Sequence, residues 1–278
     1  MNTRTTNESI QAEMTLTRHC ALVGCGQEVR RGERIATANV PERGDIHAPF
    51  PGKVLHVDPY RIRIERGEGE TVGPASLDGL EGAELRSRLA ELGADLPAAE
   101  AVDTLILNAV DAEPTEFGRR QLLADHVGTL KAGVLALARV YGPSSTTLAV
   151  PEGTQNPLNG TETTVIRDGY PAGLAPLVAK AVTGIEMPDN TLVVGLKTVF
   201  HAGLVMDTGL PVMETMVTVG NSARIITLGT PVGEILTNDG ETLRDGDRIV
   251  LGGVLRGTAA ASPGQGVDRA TTAVGLVR

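Results

Sequence analysis

The residues that could do chemistry gather in residues 103–114, which read Asp-Thr-Leu-Ile-Leu-Asn-Ala-Val-Asp-Ala-Glu-Pro. The apolar run Leu105, Ile106 and Leu107 is predicted to be a buried strand. It breaks into Asn108, Asp111 and Glu113, and Pro114 stops it. Polar groups at the carboxyl end of a strand in an open α/β sheet stand where such sheets bind ligands. An amide and two carboxylates placed there form a candidate ligand site. The same residues would also suit a plain strand-to-helix loop, a common connection in α/β units.

Other candidates are weaker. Gly79-x-x-Gly82 precedes a predicted helix and could cradle a phosphate on free backbone amides, but Glu81 and Glu84 place anions where the phosphate would approach. Lys197 follows another predicted strand; it could meet an anion, and such residues are also common as solvated caps. His47 reads as a satisfied structural histidine and His56 as exposed. His126 and His201 fall on predicted helices without carboxylate partners at helical spacing. Cys20 and Cys25 are the only thiols. An iron–sulfur cluster normally takes four. With His19 they outline a zinc site that lacks a fourth ligand, so the simpler expectation is two small buried hydrophobes. No Ser/His/Asp order suggests nucleophilic hydrolysis.

The elements that must position these residues are legible along the chain. The 278 residues are 41% hydrophobic and 21% charged, as expected of a globular protein with a core. Aromatics make up only 2%, so that core must be built from Val, Leu, Ile and Ala. A net charge of −9, from 34 acidic and 25 basic residues, excludes a general nucleic-acid surface. No apolar run is long enough to span a membrane, and the polar start lacks the apolar segment of a secretory signal, so a cytoplasmic setting is the expectation.

Residues 1–16 read as a disordered lead. Residues 17–75 read as short strands and turns, a small all-β module followed by a Gly- and Glu-rich linker. Residues 76–210 alternate helices and strands, which implies a parallel, helix-covered sheet. The helices are expected at 83–92, 116–140, 170–183 and 198–208, and the strands at 105–107, 146–150, 163–166 and 192–194. Residues 211–258 read as a compact α+β unit of the β-grasp sort, and 259–278 as a mostly irregular tail.

Val29-x2-Gly32-x2-Ile35 and Ile46-x-Ala48-Pro49-x2-Gly52-x-Val54 resemble the barrel-sandwich module of biotinyl and lipoyl domains. Residues 37–45 carry no lysine, so a swinging-arm carrier is not expected. Further motifs follow in order. They are Leu105-Ile106-Leu107-Asn108-Ala109 with Glu113-Pro114, then Tyr170-Pro171-Ala172-Gly173, Thr183-Gly184 and Pro188. Val217-Thr218-Val219-Gly220, Leu228-Gly229-Thr230-Pro231 and Gly252-Gly253 complete the set. Together, over roughly residues 17–278, they resemble the C subunit of the Rnf electron-transport complex (RnfC). That family is related to the flavin- and NADH-binding subunit of complex I and to the A subunit of Na⁺-translocating NADH:quinone reductase.

The resemblance implies an α/β multi-domain fold: a barrel-sandwich module, a central parallel Rossmann-like sheet and a C-terminal soluble-ligand-binding β-grasp (SLBB) unit. It also implies cofactor-binding roles for Asn108, Asp111, Glu113, Gly79, Gly82, Tyr170 and Gly173. The departures are specific. The family's Gly-rich loop aligns with residues 79–87, Gly-Leu-Glu-Gly-Ala-Glu-Leu-Arg-Ser, where two glycines have become glutamates. A glutamate near the family's flavin is replaced by Ala175, and Val110 stands in place of an acidic residue. The family would continue into paired four-cysteine clusters where this chain ends at Arg278.

The expectation is therefore an RnfC-like subunit without iron–sulfur clusters, with the NADH site disfavoured. It would dock or position redox subunits that carry flavin or clusters, and it would sit in the cytoplasm or peripherally on the inner membrane. The alternatives are an FMN-binding NAD(P)H:acceptor oxidoreductase subunit, and an SLBB module taking a small ligand or quinone.

Overall fold

The structure is a computed structural model that describes residues 10–278. The first sixteen residues were expected to be disordered; residues 1–9 lie outside the described part, and the remainder corrects that expectation. Gln11–Thr15 forms strand β1. It is followed by His19–Ala21 (β2), Glu28–Val29 (β3), Arg34–Ala38 (β4), Ile46–His47 (β5), Gly52–Val57 (β6) and Arg61–Arg66 (β7). These make two small antiparallel sheets, ordered β1-β7-β6-β3 and β2-β4-β5. Alternation in β7 buries Ile62 and Ile64 and sets Arg61, Arg63 and Glu65 on the opposite face. β1 pairs with β7 over its whole length and buries Ala12 and Met14. Gln11, Glu13 and Thr15 alternate with them, a period-two pattern that the polar start of the chain overshadows in the sequence. The expected linker after β7 is paired as well: Arg31 N–H donates to the Glu70 carbonyl (3.0 Å) and Val72 N–H to the Arg31 carbonyl (2.9 Å).

The two cysteines are exposed, not buried as expected. Cys20 is the outward-facing middle residue of the three-residue β2, and Cys25 sits in a turn, where its thiol donates to the Leu55 carbonyl. No group of three or more metal-ligating side chains occurs among the described residues.

The middle of the chain runs α1 (Gly82–Glu91), β8 (Thr104–Asn108), α2 (Gly118–Asp125), α3 (Val127–Tyr141), β9 (Ser145–Pro151), β10 (Glu162–Ile166), α4 (Ala175–Thr183), β11 (Thr191–Gly195) and α5 (Leu196–Thr208). All four strands are parallel, in the order β10-β9-β8-β11. The single helix expected over 116–140 is two. His126 breaks it with φ −122° and ψ 34°, and its ring packs edge-on against Phe200 at 5.2 Å. The break lets α2 turn toward the C-terminal sheet while α3 lies along α5.

Helices α3 and α5 touch backbone to backbone at two reciprocal glycines. An added Cβ on Gly133 would collide with the Val199 carbonyl, and one on Gly203 with the Thr129 carbonyl. Gly133→Ala is expected to cost about 1–3 kcal/mol by overpacking. Denaturant unfolding would measure it, and an unchanged midpoint would contradict this packing.

The last unit holds β12 (Glu214–Val219), β13 (Ser222–Thr227), α6 (Val232–Asn238), β14 (Arg248–Leu251), β15 (Thr258–Ala259) and β16 (Ala273–Val277), in sheet order β13-β12-β16-β14-β15. The tail expected to be irregular thus supplies the central strand. β16 lies parallel to β12 and antiparallel to β14. Its Gly275 and short length mask the strand pattern in the sequence.

Residues before β16 tie the units together. Arg269 is buried and donates to the carbonyl of Asp45 (2.9 Å), the carbonyl of Gly44 and the Asp95 carboxylate. Beside it lies His47, buried, with no hydrogen-bond partner on Nδ1. Burial, then the nearby charge of Arg269, pulls the His47 pKa down to about 4. The folded ring stays neutral while an unfolded one protonates near pH 6.5, so this contribution is intact above 6.5 and is lost as the pH falls toward 4. His47→Gln is therefore expected to gain a few degrees of melting temperature relative to the parent between pH 7 and pH 4.5. A pH-independent difference would contradict that.

Candidate functional site

The strand order places a switch point between β8 and β11. The chain leaves β8 for β9 and β10 on one side and returns to β11 on the other. Ligands in open α/β sheets bind outside the carboxyl ends of strands at such a point. Here a cavity of about 230 Å³ opens there. Gly195, at the end of β11, and Lys197, in the first turn of α5, form one wall. Asp111, Glu116 and Arg119, from the loop after β8 and the start of α2, form the other. Met216 and Thr272 close it from the C-terminal sheet side.

Asp111 Oδ1 accepts from the Arg119 backbone N–H at 3.0 Å. Its Oδ2 lies 3.4 Å from Arg120 Nε but makes no hydrogen bond. Burial pushes the Asp111 pKa up to about 6, against the lowering effect of the Arg119 N–H and the two arginine charges. Arg119 donates from Nη1 to the Val110 carbonyl at 2.6 Å, and burial lowers its pKa. Lys197 donates from Nζ to the Thr271 carbonyl at 2.7 Å, and burial pulls it down to about 8. Glu116 accepts from the Thr272 hydroxyl.

The structure brings together four of the residues singled out in the sequence. Asn108 is buried; its Nδ2 donates to the Gly173 carbonyl (2.9 Å) and its Oδ1 accepts from Val110 N–H (3.0 Å). Gly173 lies so close to the Asp111 carbonyl that a Cβ would overlap it. Glu113 reaches the C-terminal unit, where Oε2 accepts from Leu255 N–H (3.0 Å) and its side chain packs on Gly253. Tyr170 is exposed in the turn before Gly173. Gly79 and Gly82 are elsewhere. Between them the Leu80 carbonyl accepts from Arg139 in the last turn of α3, the helix end that leads to the start of β9. That is the amino edge of the sheet, across from the cavity.

The sequence did not single out Glu116 and Arg119, and for Lys197 it left an anion contact and a solvated cap both open. Lys197 follows the last residue of β11 by two positions, which was the available signal.

The comparisons bear on this scaffold. No protein-family model matches the chain. The C subunit of the ion-translocating oxidoreductase complex of Rhodobacter capsulatus is 24% identical over 302 residues, covering 88% of this chain and 58% of that protein. The corresponding C subunit of Serratia proteamaculans is also 24% identical and covers 84% of this chain and 40% of its own length. This chain is a distant homologue of those C subunits. It spans from two fifths to a little over half of their length. The cobalamin reductase PduS of Citrobacter freundii is 29% identical over 190 residues, 61% of this chain and 42% of that protein. A chain of NAD⁺-reducing [NiFe]-hydrogenase in the H2-reduced state shares the fold, with TM-score 0.51, 16% identity, and coverage of 70% of this chain and 44% of that one.

For a C-subunit homologue the question is whether the switch-point residues suit a flavin. They do not fit it as they stand. The Asn108 amide and one Glu113 oxygen are committed to backbone groups. Gly173 is filled by the Asp111 carbonyl, and the glycine pair of the aligned loop lies at the opposite edge. The cavity is also smaller than the roughly 300–1,000 Å³ usual for pockets that take larger ligands. Two cysteines, both exposed, fall short of the four thiolates of a cluster.

Proposed function

We propose that this C-subunit homologue is a cofactor-poor component of an ion-translocating oxidoreductase complex, docking or positioning subunits that carry flavin or iron–sulfur clusters. The observation that carries the reading is the inward commitment of Asn108, Glu113 Oε2 and Gly173 at the carboxyl end of β8. Asn108 and Glu113 Oε2 hold the sheet to the loop at Gly173 and to the C-terminal unit, while Glu113 Oε1 and Asp111 Oδ2 are buried without a hydrogen-bond partner. The homology over most of the chain supports membership of such a complex. Among the described residues no helix is long and apolar enough to cross a membrane, so association with a membrane complex would be peripheral.

An FMN-binding NAD(P)H:acceptor oxidoreductase subunit is the second reading. The position of Asp111 in a cavity at the switch point favours it, as does the likeness to a cobalamin reductase. Affinity purification of the tagged chain from detergent-solubilised host membranes separates the two. The docking reading expects stoichiometric co-purification with subunits whose absorbance shows flavin or clusters. A tagged chain that brings down no redox protein would contradict it, and a tagged chain that is itself flavin-loaded would favour the second reading.

A further inference from the structure

The cavity at the switch point carries charges of both signs with bonding capacity left over. Asp111 lines it, and its Oδ2, buried 3.4 Å from Arg120 Nε, makes no hydrogen bond, with the Asp111 side chain only 4% exposed. A buried carboxylate oxygen left without a donor is costly, which makes it a pointer to a missing one. On the other side, Lys197 has three N–H donors and uses one on the Thr271 carbonyl. Arg119 has five and directs one to the Val110 carbonyl. The surface that these two cations expose faces the cavity. Leu122 and Met216 supply an apolar wall.

An anion alone would meet Asp111 and Glu116, and a cation alone would meet Arg119 and Lys197. A ligand with both charges close together satisfies the whole set. We propose that this cavity binds a small zwitterion of the α-amino-acid class, with its carboxylate on Arg119 and Lys197, its ammonium on Asp111 and Glu116, and its side chain against Leu122 and Met216. The size agrees: 230 Å³ suits a molecule of that class and excludes a dinucleotide. The inference rests on the cofactor-poor reading, since a flavin at the switch point would compete for the same space.

The test is calorimetric titration of the full chain with each of the twenty common L-amino acids, with acetate, ethylamine and FMN as comparison titrants. At least one amino acid is expected to bind saturably. Acetate and ethylamine, which each carry half of the recognised group, are expected to bind at least ten-fold more weakly. Asp111→Asn and Lys197→Met are each expected to weaken the amino acid ten-fold or more. Each removes a charge that burial disfavours, so both variants should fold, and their melting curves verify it. Three results would overturn the proposal: no amino acid saturates, acetate binds as tightly as the amino acid, or the two folded variants bind like the parent. Absence of amino-acid binding together with absence of FMN binding would leave the docking reading standing. Saturable FMN binding would remove both.

Discussion

Arg269→Ala is expected to lower the melting temperature by about 10 °C, from a loss of about 3–5 kcal/mol. Arg269 lies in the segment just before β16, yet its guanidinium reaches the opposite end of the sequence. It donates to the carbonyls of Gly44 and Asp45 and to the Asp95 carboxylate. Its side chain is 7% exposed and that of Asp95 21%. Truncation would leave two carbonyls short of a donor and the largely buried Asp95 with only Gly44 N–H and Arg43 as partners. Removing one member of a buried pair is far more damaging than replacing both, because the surviving charge stays desolvated. Arg269→Lys keeps the charge but cannot form the three-way fork, so it should recover only part of the loss. Circular dichroism melts of both variants would show this. A loss below about 1 kcal/mol for the alanine variant would mean that the C-terminal unit is not pinned through Arg269.

Asp111→Asn carries the opposite sign. Burial pushes the Asp111 pKa up from 3.8 to about 6, so the folded protein holds the ionised form at a disadvantage. The cost is fully developed above pH 6, shrinks as the pH falls from 6 to 3.8, and is absent below. It corresponds to about 3 kcal/mol. An asparagine keeps an oxygen for the Arg119 N–H and carries no charge. The variant is therefore expected to melt higher than the parent at pH 8, with the gain fading toward pH 4. A destabilised variant at pH 8 would show that the pairing with Arg120 outweighs burial.

The middle of the central sheet was legible because β8 is buried along most of its length and β11 is largely covered, so both read as plain apolar runs. Leu105, Ile106 and Leu107 and then Leu192, Val193 and Val194 stood out between helical patterns. Two strands outside it did not. β1 alternates Ala12 and Met14 with Gln11, Glu13 and Thr15, but it follows a polar start and reads as part of it, and β16 contains a glycine and carries no period-two signal, although both pair with their neighbours in space. The break at His126 was invisible because Leu122, Val127 and Leu130 keep helical spacing across it; contacts distant in sequence, to Phe200 and to the C-terminal sheet, decide it.

The site was half legible. Asn108, Asp111, Glu113 and Gly173 do converge at a strand end. What each side chain binds depends on partners up to 142 residues away, as for Glu113 and Leu255. Gly79 and Gly82 were assigned to the same site because their loop aligns with the Gly-rich loop of the RnfC family that the chain resembles; the placement of Leu80 against Arg139 puts them at the other edge. Lys197 stayed open between an anion contact and a solvated cap because nothing in its neighbours reveals that the C-terminal sheet covers it.

The measurement that bears most directly on the account is an absorbance titration of the purified chain with FMN, followed by NADH under anaerobic conditions. The account predicts a colourless protein, no saturable change in the flavin spectrum and no bleaching by NADH. Bound flavin that NADH reduces would contradict it. That result would mean that Asn108, Glu113 and Gly173 release their present partners to hold a cofactor, and that the chain is itself an oxidoreductase subunit.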